Sequence, residues 1–135
     1  MPATELRERI GGEWTERFDG WWVGISLDQL RATAAAMLEG GARFSALVAA
    51  LGLNGSFRLS WHWDVVGTLL SVESTLAAGA ELPTIADIYP GADWAERETR
   101  DYFAIAFSGR PSTTPLMLRE QDAPGVLLLQ PGEHL

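Results

Sequence analysis

Residues 57–64 alternate without a fault. Phe57, Leu59, Trp61 and Trp63 fall on one side of an extended chain, and Arg58, Ser60, His62 and Asp64 fall on the other. That period of two predicts a strand with one buried face and one wetted face. Asn54-Gly55, just before it, is a strong signal for a tight hairpin turn. Gly67 turns the chain after it, and Thr68–Leu76 returns with Leu70, Val72 and Leu76 on one face. Ala42–Leu51, upstream, reads two ways: Phe44, Leu47, Val48 and Leu51 have helical spacing, while a Gly-bounded run of this length suits a buried strand.

The period changes elsewhere. Ser26 followed by Gln29 forms a capping box, in which each side chain satisfies the other residue's amide. It opens a predicted helix to about Glu39 with Leu27, Leu30, Ala34, Met37 and Leu38 on its apolar face, and Gly40-Gly41 stops it. A shorter helix is predicted over Thr4–Ile10, with Leu6 and Ile10 on one side and Gly11-Gly12 at its end. Asp19-Gly20 reads as a turn into a strand carrying Trp21, Val23 and Ile25. Ala77–Pro83 is a link within one unit, not a boundary.

The densest run of aromatic and charged residues is Asp87–Pro111, D-I-Y-P-G-A-D-W-A-E-R-E-T-R-D-Y-F-A-I-A-F-S-G-R-P. Pro90-Gly91 makes a turn. Asp93 then stands as an N-cap with Glu96 three residues on, so the helix should run from Trp94 to Tyr102 or Phe103. Glu96 with Arg100, and Arg97 with Asp101, are spaced to pair along it, each worth about 0.2–0.5 kcal/mol. Ile105 and Phe107 alternate as a short strand, and Gly109-Arg110-Pro111 closes the segment.

Composition narrows the function. The chain has 135 residues and no Cys, which excludes disulfides, thiolate catalysis and Cys-ligated iron–sulfur clusters from these residues. Its formal charge of -8 argues against nucleic acid, whose phosphates it would repel. Its ten basic residues are all Arg, more simply a mark of base composition than of interface selection. No run reaches the roughly 18–20 apolar residues that span a bilayer. With no apolar signal core behind Glu5, Arg7, Glu8 and Arg9, a cytoplasmic location is expected.

The segment Asp87–Pro111 resembles, nearly residue for residue, the signature of the 30-kDa-type (C-type) subunit of respiratory complex I, the NADH:quinone oxidoreductase. Related subunits belong to membrane-bound hydrogenase complexes. Asp93, Trp94, Glu96, Arg97, Glu98, Asp101, Phe103, Ile105, Phe107, Gly109 and Pro111 carry the match, and Trp61-His62-Trp63 sits where the family has an aromatic-His-aliphatic step. The likeness covers roughly residues 21–122. It tips Ala42–Leu51 to a strand. It implies an α+β fold of two layers: a mostly antiparallel or mixed sheet of four to five strands with helices packed on one face. Residues 1–135 would form one such unit, with 1–20 and 123–135 peripheral.

What the resemblance implies for function is a cofactor-free structural subunit of the hydrophilic arm. It would brace the quinone-site (D-type) subunit and the iron–sulfur subunits, and meet the inner face of the cell membrane only through them. An equivalent subunit of a hydrogenase-type complex is the alternative. Asp93, Trp94, Glu96, Arg97, Glu98, Arg100, Asp101 and Arg110 are the candidate docking and motif residues. The chain departs from the family pattern in three places. Ala104 stands for Gly, Arg110 stands for His, and Gly125-Val126-Leu127-Leu128-Leu129-Gln130 replaces a basic Gly-His-Pro-Leu-Arg-Lys-Asp run.

Other chemistry weighs less. The carboxylates Asp87, Asp93, Glu96, Glu98 and Asp101 could be read as an acid/base pair, but capping and pairing on a solvated helix account for most of them. His62 has no neighbours at zinc-ligand spacing, and His134 falls in the tail. No dinucleotide fingerprint, P-loop or nucleophile elbow is present in the sequence. Trp61 and Trp63 should pack inward. Trp14, Trp21, Trp22 and Trp94 are more than a small unit can hide, which points to docking near Trp94, Arg97 and Arg100.

Overall fold

A computed structural model of the chain describes residues 1–110. The turns written in the sequence set the element order. Helix α1 (Ala3–Ile10) leads to a hairpin of β1 (Thr15–Arg17) and β2 (Gly20–Gly24). Helix α2 (Leu30–Glu39) follows behind a 3₁₀ turn at Leu27–Gln29, then strands β3 (Arg43–Leu51), β4 (Phe57–Val65) and β5 (Thr68–Leu76). The last part comprises β6 (Leu82–Pro83), helix α3 (Ala92–Phe103) and β7 (Phe107–Ser108). The capping box of Ser26 and Gln29 is formed as expected. Helix α2 ends where the glycines stop it, the Ala42 amide donating back to the Met37 carbonyl at 2.9 Å while Gly41 takes a φ of 78°.

The main sheet has five strands in the order β1-β2-β5-β4-β3. The β3–β4 and β4–β5 pairs are antiparallel, forming the expected meander, and β2 lies parallel to β5 with Trp21 opposite Leu70. A second sheet pairs β6 with β7 in parallel. This is an α+β fold with a mixed sheet. Leu59, Trp61, Trp63 and Val65 of β4 and Leu70, Val72 and Leu76 of β5 are buried in one core, together with Leu30, Ala34 and Met37 of α2 and Ala92 of α3. The helices therefore cover one face. At about 25 cal/mol per Å² of apolar surface, this shared face is the main stabilising term.

Some local features differ from the sequence pattern. In the first twenty residues, Leu6 is fully buried in the core, and β1 pairs with β2. Gly40 makes room for Leu6, whose methyls lie 2.8 and 2.9 Å from where a Cβ at that position would stand. Trp14 ties the loop after α1, its indole N–H shared between the Arg7 and Gly11 carbonyls at 3.1 and 2.9 Å. On α2, Leu38 is half exposed and Thr33 takes a buried place instead. The Ala77–Pro83 link contains strand β6. Pro111, His134 and the segment 123–135 lie outside the described residues.

Candidate functional site

Helix α3 begins two residues earlier than its sequence cap suggests. The Ala92 and Asp93 amides donate to the Tyr89 and Pro90 carbonyls, so the Pro90-Gly91 turn runs directly into the helix. Gly91 occupies the cap position and no side chain caps the end. The expected box of Asp93 and Glu96 is therefore absent, because both carboxylates are engaged elsewhere. Asp93 sits in the first turn, where the helix dipole favours an anion, and pairs with Arg97 at 3.0 Å and with Arg110.

Glu96 points inward and is 1 % exposed. One of its oxygens accepts hydrogen bonds from the Thr84 hydroxyl at 2.5 Å and the Arg110 guanidinium at 2.8 Å; the other accepts from the Ile85 amide at 2.9 Å. Burial pushes its carboxyl above the usual range, and those donors pull it partly back. Arg110, two residues past β7, thus grips the start of α3 through Asp93 and Glu96. The pairs expected from spacing, Glu96 with Arg100 and Arg97 with Asp101, do not form. Arg97 reaches back to Asp93, and Arg100 meets the buried Asp101 beside it at 3.2 Å.

The loop before α3 is tied down in the same manner, by partners that sequence reasoning missed. Arg31 of α2 holds Asp87 through two parallel hydrogen bonds of 2.8 Å and also donates to the Thr84 carbonyl at 2.6 Å. The guanidinium draws the Asp87 carboxyl down to about 2. Tyr89 packs against Trp63 and Phe44 and donates its hydroxyl to the Ala42 carbonyl at 2.7 Å. Burial pushes that phenol up to about 12. Separations of 56 and 47 residues hide both contacts from any local pattern.

What remains facing outward is Trp94, 63 % exposed, and the exposed Glu98 one turn on. Arg97 and Arg100 lie partly buried alongside. Of the four tryptophans expected at the surface, only Trp94 is largely free. The Arg7 guanidinium lies 3.8 Å from the Trp21 ring centre, and Arg17 covers Trp22 at 4.4 Å.

The open face of the sheet carries a separate polar cluster. His62 contacts the Ser60 hydroxyl through Nε2 at 2.9 Å and the Ser71 hydroxyl through Nδ1 at 2.7 Å, with Trp22 edge-on. Burial lowers its pKa, so the ring is neutral at pH 7. A hollow of about 820 Å³ lies on this face between Arg17, Trp22, Val48, Arg58 and Glu73. Among the described residues no cluster of three or more His, Cys, Asp or Glu side chains is placed to hold a metal ion. Among the same residues no helix is long and apolar enough to cross a membrane.

Comparison with known proteins bears on the same stretch. Residues 23–126 match the family described as respiratory-chain NADH dehydrogenase, 30 Kd subunit. The C-type subunit of NADH-quinone oxidoreductase from Rhodobacter capsulatus is 34% identical over 86 residues, which is 58% of this chain and 43% of that protein. Its counterpart from Mesorhizobium japonicum is 47% identical over 64 residues, covering 42% of this chain and 32% of the relative. A protein of Phocaeicola vulgatus, whose name joins the C and D subunits of NADH-quinone oxidoreductase, is 40% identical over 52 residues. That match covers 38% of this chain and 10% of the relative. The matched stretch thus spans less than half of each of these relatives.

Proposed function

The chain belongs to the family of the respiratory-chain NADH dehydrogenase 30 Kd subunit, and from that membership we propose that it is a cofactor-free structural subunit in the hydrophilic arm of an NADH:quinone oxidoreductase. In this reading it braces the quinone-site (D-type) subunit and the iron–sulfur subunits, and it meets the inner face of the cell membrane through them. The relative whose name joins C and D supports the choice of the D-type protein as neighbour.

One observation carries the reading. The charged groups of the signature segment are spent on internal bonds: Asp87 on Arg31, Glu96 on Thr84, Ile85 and Arg110, and Asp93 on Arg97 and Arg110. Carboxylates held this way present no open acid/base pair to a substrate. They hold α3 rigidly, with Trp94 and Glu98 presented outward. An exposed Trp ringed by charge is the kind of anchor that dominates interface energies.

The test separates docking from folding. Trp94→Ala and Glu98→Ala should leave the isolated chain's unfolding free energy within about 1 kcal/mol, because exposed positions contribute little. The same variants should weaken incorporation into the complex by about 2 kcal/mol, close to thirtyfold, as a truncated anchor does. Pull-down yields with the quinone-site subunit beside denaturant melts give both numbers. Wild-type incorporation of both variants would sink the docking role of this helix.

A further inference from the structure

The open face of the sheet is unevenly covered. Gly24 of β2, Glu73 of β5, Ser60 of β4 and Val48 of β3 stand in one row across four strands. Gly24 brings no side chain to that row, with nothing within 4 Å of where its Cβ would stand, and Ser60 brings a short one. The neighbouring rows are bulkier. Trp22 and His62 flank Ser71 on one side, and Arg58 stands between Ala50 and Thr75 on the other. The hollow of about 820 Å³ is the space left between them.

Its charge is unlike that of the rest of the chain. The charged residues that line it are Arg17, Arg58 and Glu73, two positive against one negative in a chain of formal charge -8. Glu73 is engaged by Arg17 at 3.7 Å, and Arg17 lies over the Trp22 ring. Arg58 is exposed and has no such partner. Among the described residues every other arginine meets a carboxylate or, in the case of Arg7, the Trp21 ring. Next to Arg58, β3 exposes Ala50 and Val48. A free guanidinium beside an exposed apolar ledge is complementary to a carboxylate flanked by an apolar side chain. The chain's overall negative charge does not forbid that contact, since physiological salt screens charges beyond about 8 Å.

We propose that the hollow docks an acidic segment of a neighbouring iron–sulfur subunit, with a carboxylate on Arg58 and an apolar side chain against Val48 and Ala50. The hollow is open along the face, the shape of a protein contact; a small-ligand pocket encloses most of its occupant. In the assembly reading above, on which this rests, α3 presents Trp94 and Glu98 to the quinone-site subunit. Helix α3 lies on the helical face of the sheet and the hollow lies on the opposite one. A chain that braces two neighbours needs two such surfaces. Their exposed charges have opposite signs, Glu98 on α3 and Arg58 at the hollow, which keeps one neighbour from taking the other's place.

The test co-expresses the full tagged chain with the iron–sulfur subunits in one set and with the quinone-site subunit in another, so that neither can bridge to the other. Arg58→Glu should lower recovery of an iron–sulfur subunit about tenfold or more, because it sets like charges face to face. Val48→Asp, on the exposed ledge, should do the same for the same reason. Recovery of the quinone-site subunit and the thermal melt of the chain should stay at the wild-type level in both variants, since both positions are exposed. Wild-type recovery of the iron–sulfur subunits in either variant would overturn the proposal, and so would a loss confined to the quinone-site subunit. A wild-type chain that holds the quinone-site subunit and no iron–sulfur subunit would overturn it alone. A wild-type chain that holds neither would bring down the assembly reading, and the docking site with it.

Discussion

Helices α2 and α3 lie on the same face of the same sheet, and they are held there by different forces. Helix α2 buries Leu30, Ala34 and Met37 beside Thr33, an apolar grip to which Arg31 adds its outlying bonds to Asp87 and the Thr84 carbonyl. Helix α3 buries Ala92 together with Glu96, Thr99 and Asp101, and to the apolar contacts of Ala92 and Phe103 it adds directed hydrogen bonds with Thr84, Ile85 and Arg110. Apolar contact is roughly additive and tolerates replacement by another side chain of similar volume. A buried charged network is close to all-or-none, because a missing member leaves the others desolvated and unpaired. The two helices should therefore fail in different ways.

The largest effect is expected from Glu96→Ala, which takes from the nearly buried Arg110 one of its two carboxylates and from the Thr84 hydroxyl and the Ile85 amide their acceptor; it should cost about 4 kcal/mol in denaturant unfolding. Adding Arg110→Met should restore part of that loss, since the second change removes a nearly buried charge left with Asp93 alone, while Asp93 keeps Arg97. Recovery by the second mutation is the signature of a polar grip. Met37→Ala should cost about 3 kcal/mol through lost burial and the cavity left behind, and no second-site change on α3 should recover it. If both variants proved simply additive with changes on the other helix, the contrast between the two would collapse.

Smaller effects sharpen the picture around the signature loop. Tyr89→Phe removes the donor to the Ala42 carbonyl and should cost about 1 kcal/mol, the usual net worth of such a bond. Asp87 provides a titration test of the tie to α2. Its carboxyl lies at about 2 in the fold against an ordinary 3.8, so it binds its proton less readily folded than unfolded. Its contribution to stability is thus present above about pH 4 and is lost as pH falls towards 2. In Arg31→Ala the Asp87 carboxyl resonance should titrate near its ordinary value, followed by NMR. A midpoint that stays near 2 would show that the guanidinium is not the cause.

How far the sequence was legible depended on whether a contact was local. Strand β4 could be read outright because its whole burial pattern is a period of two, Leu59, Trp61, Trp63 and Val65 in and their neighbours out. Strand β3 looked half helical for a physical reason. The bulge between Phe44 and Ala46 lets both Phe44 and Leu47 face the helices, opposite Trp63 and Trp61, and so writes a spacing of three into a strand. Helix α3 was legible as a helix and not as a site. Its carboxylates suggested capping and pairing four residues apart, while their partners come from Thr84, Ile85 and Arg110 across the fold. Arg110 stands where the family pattern resembled by this segment has His, and it is the residue that closes the clamp. A departure from a pattern was here the better clue to bonding than the pattern itself.

The parallel pairing of β2 with β5 has a consequence for the order in which the chain can fold. The β3–β4 and β4–β5 hairpins close over short turns and can form as soon as their residues are available. Trp21 and Val23, by contrast, must wait for Leu70 and Val72 to arrive. Loop closure of that length sets in late, because its entropy is lost before the contact is gained. During synthesis the N-terminal helix and hairpin would therefore stand by, with Leu6, Trp21 and Val23 unburied, until the meander presents the edge of β5. A ribosome stalled before residue 70 would hold a nascent chain whose first strands have nothing to pair with, and that is the stage at which a chaperone would find most to bind.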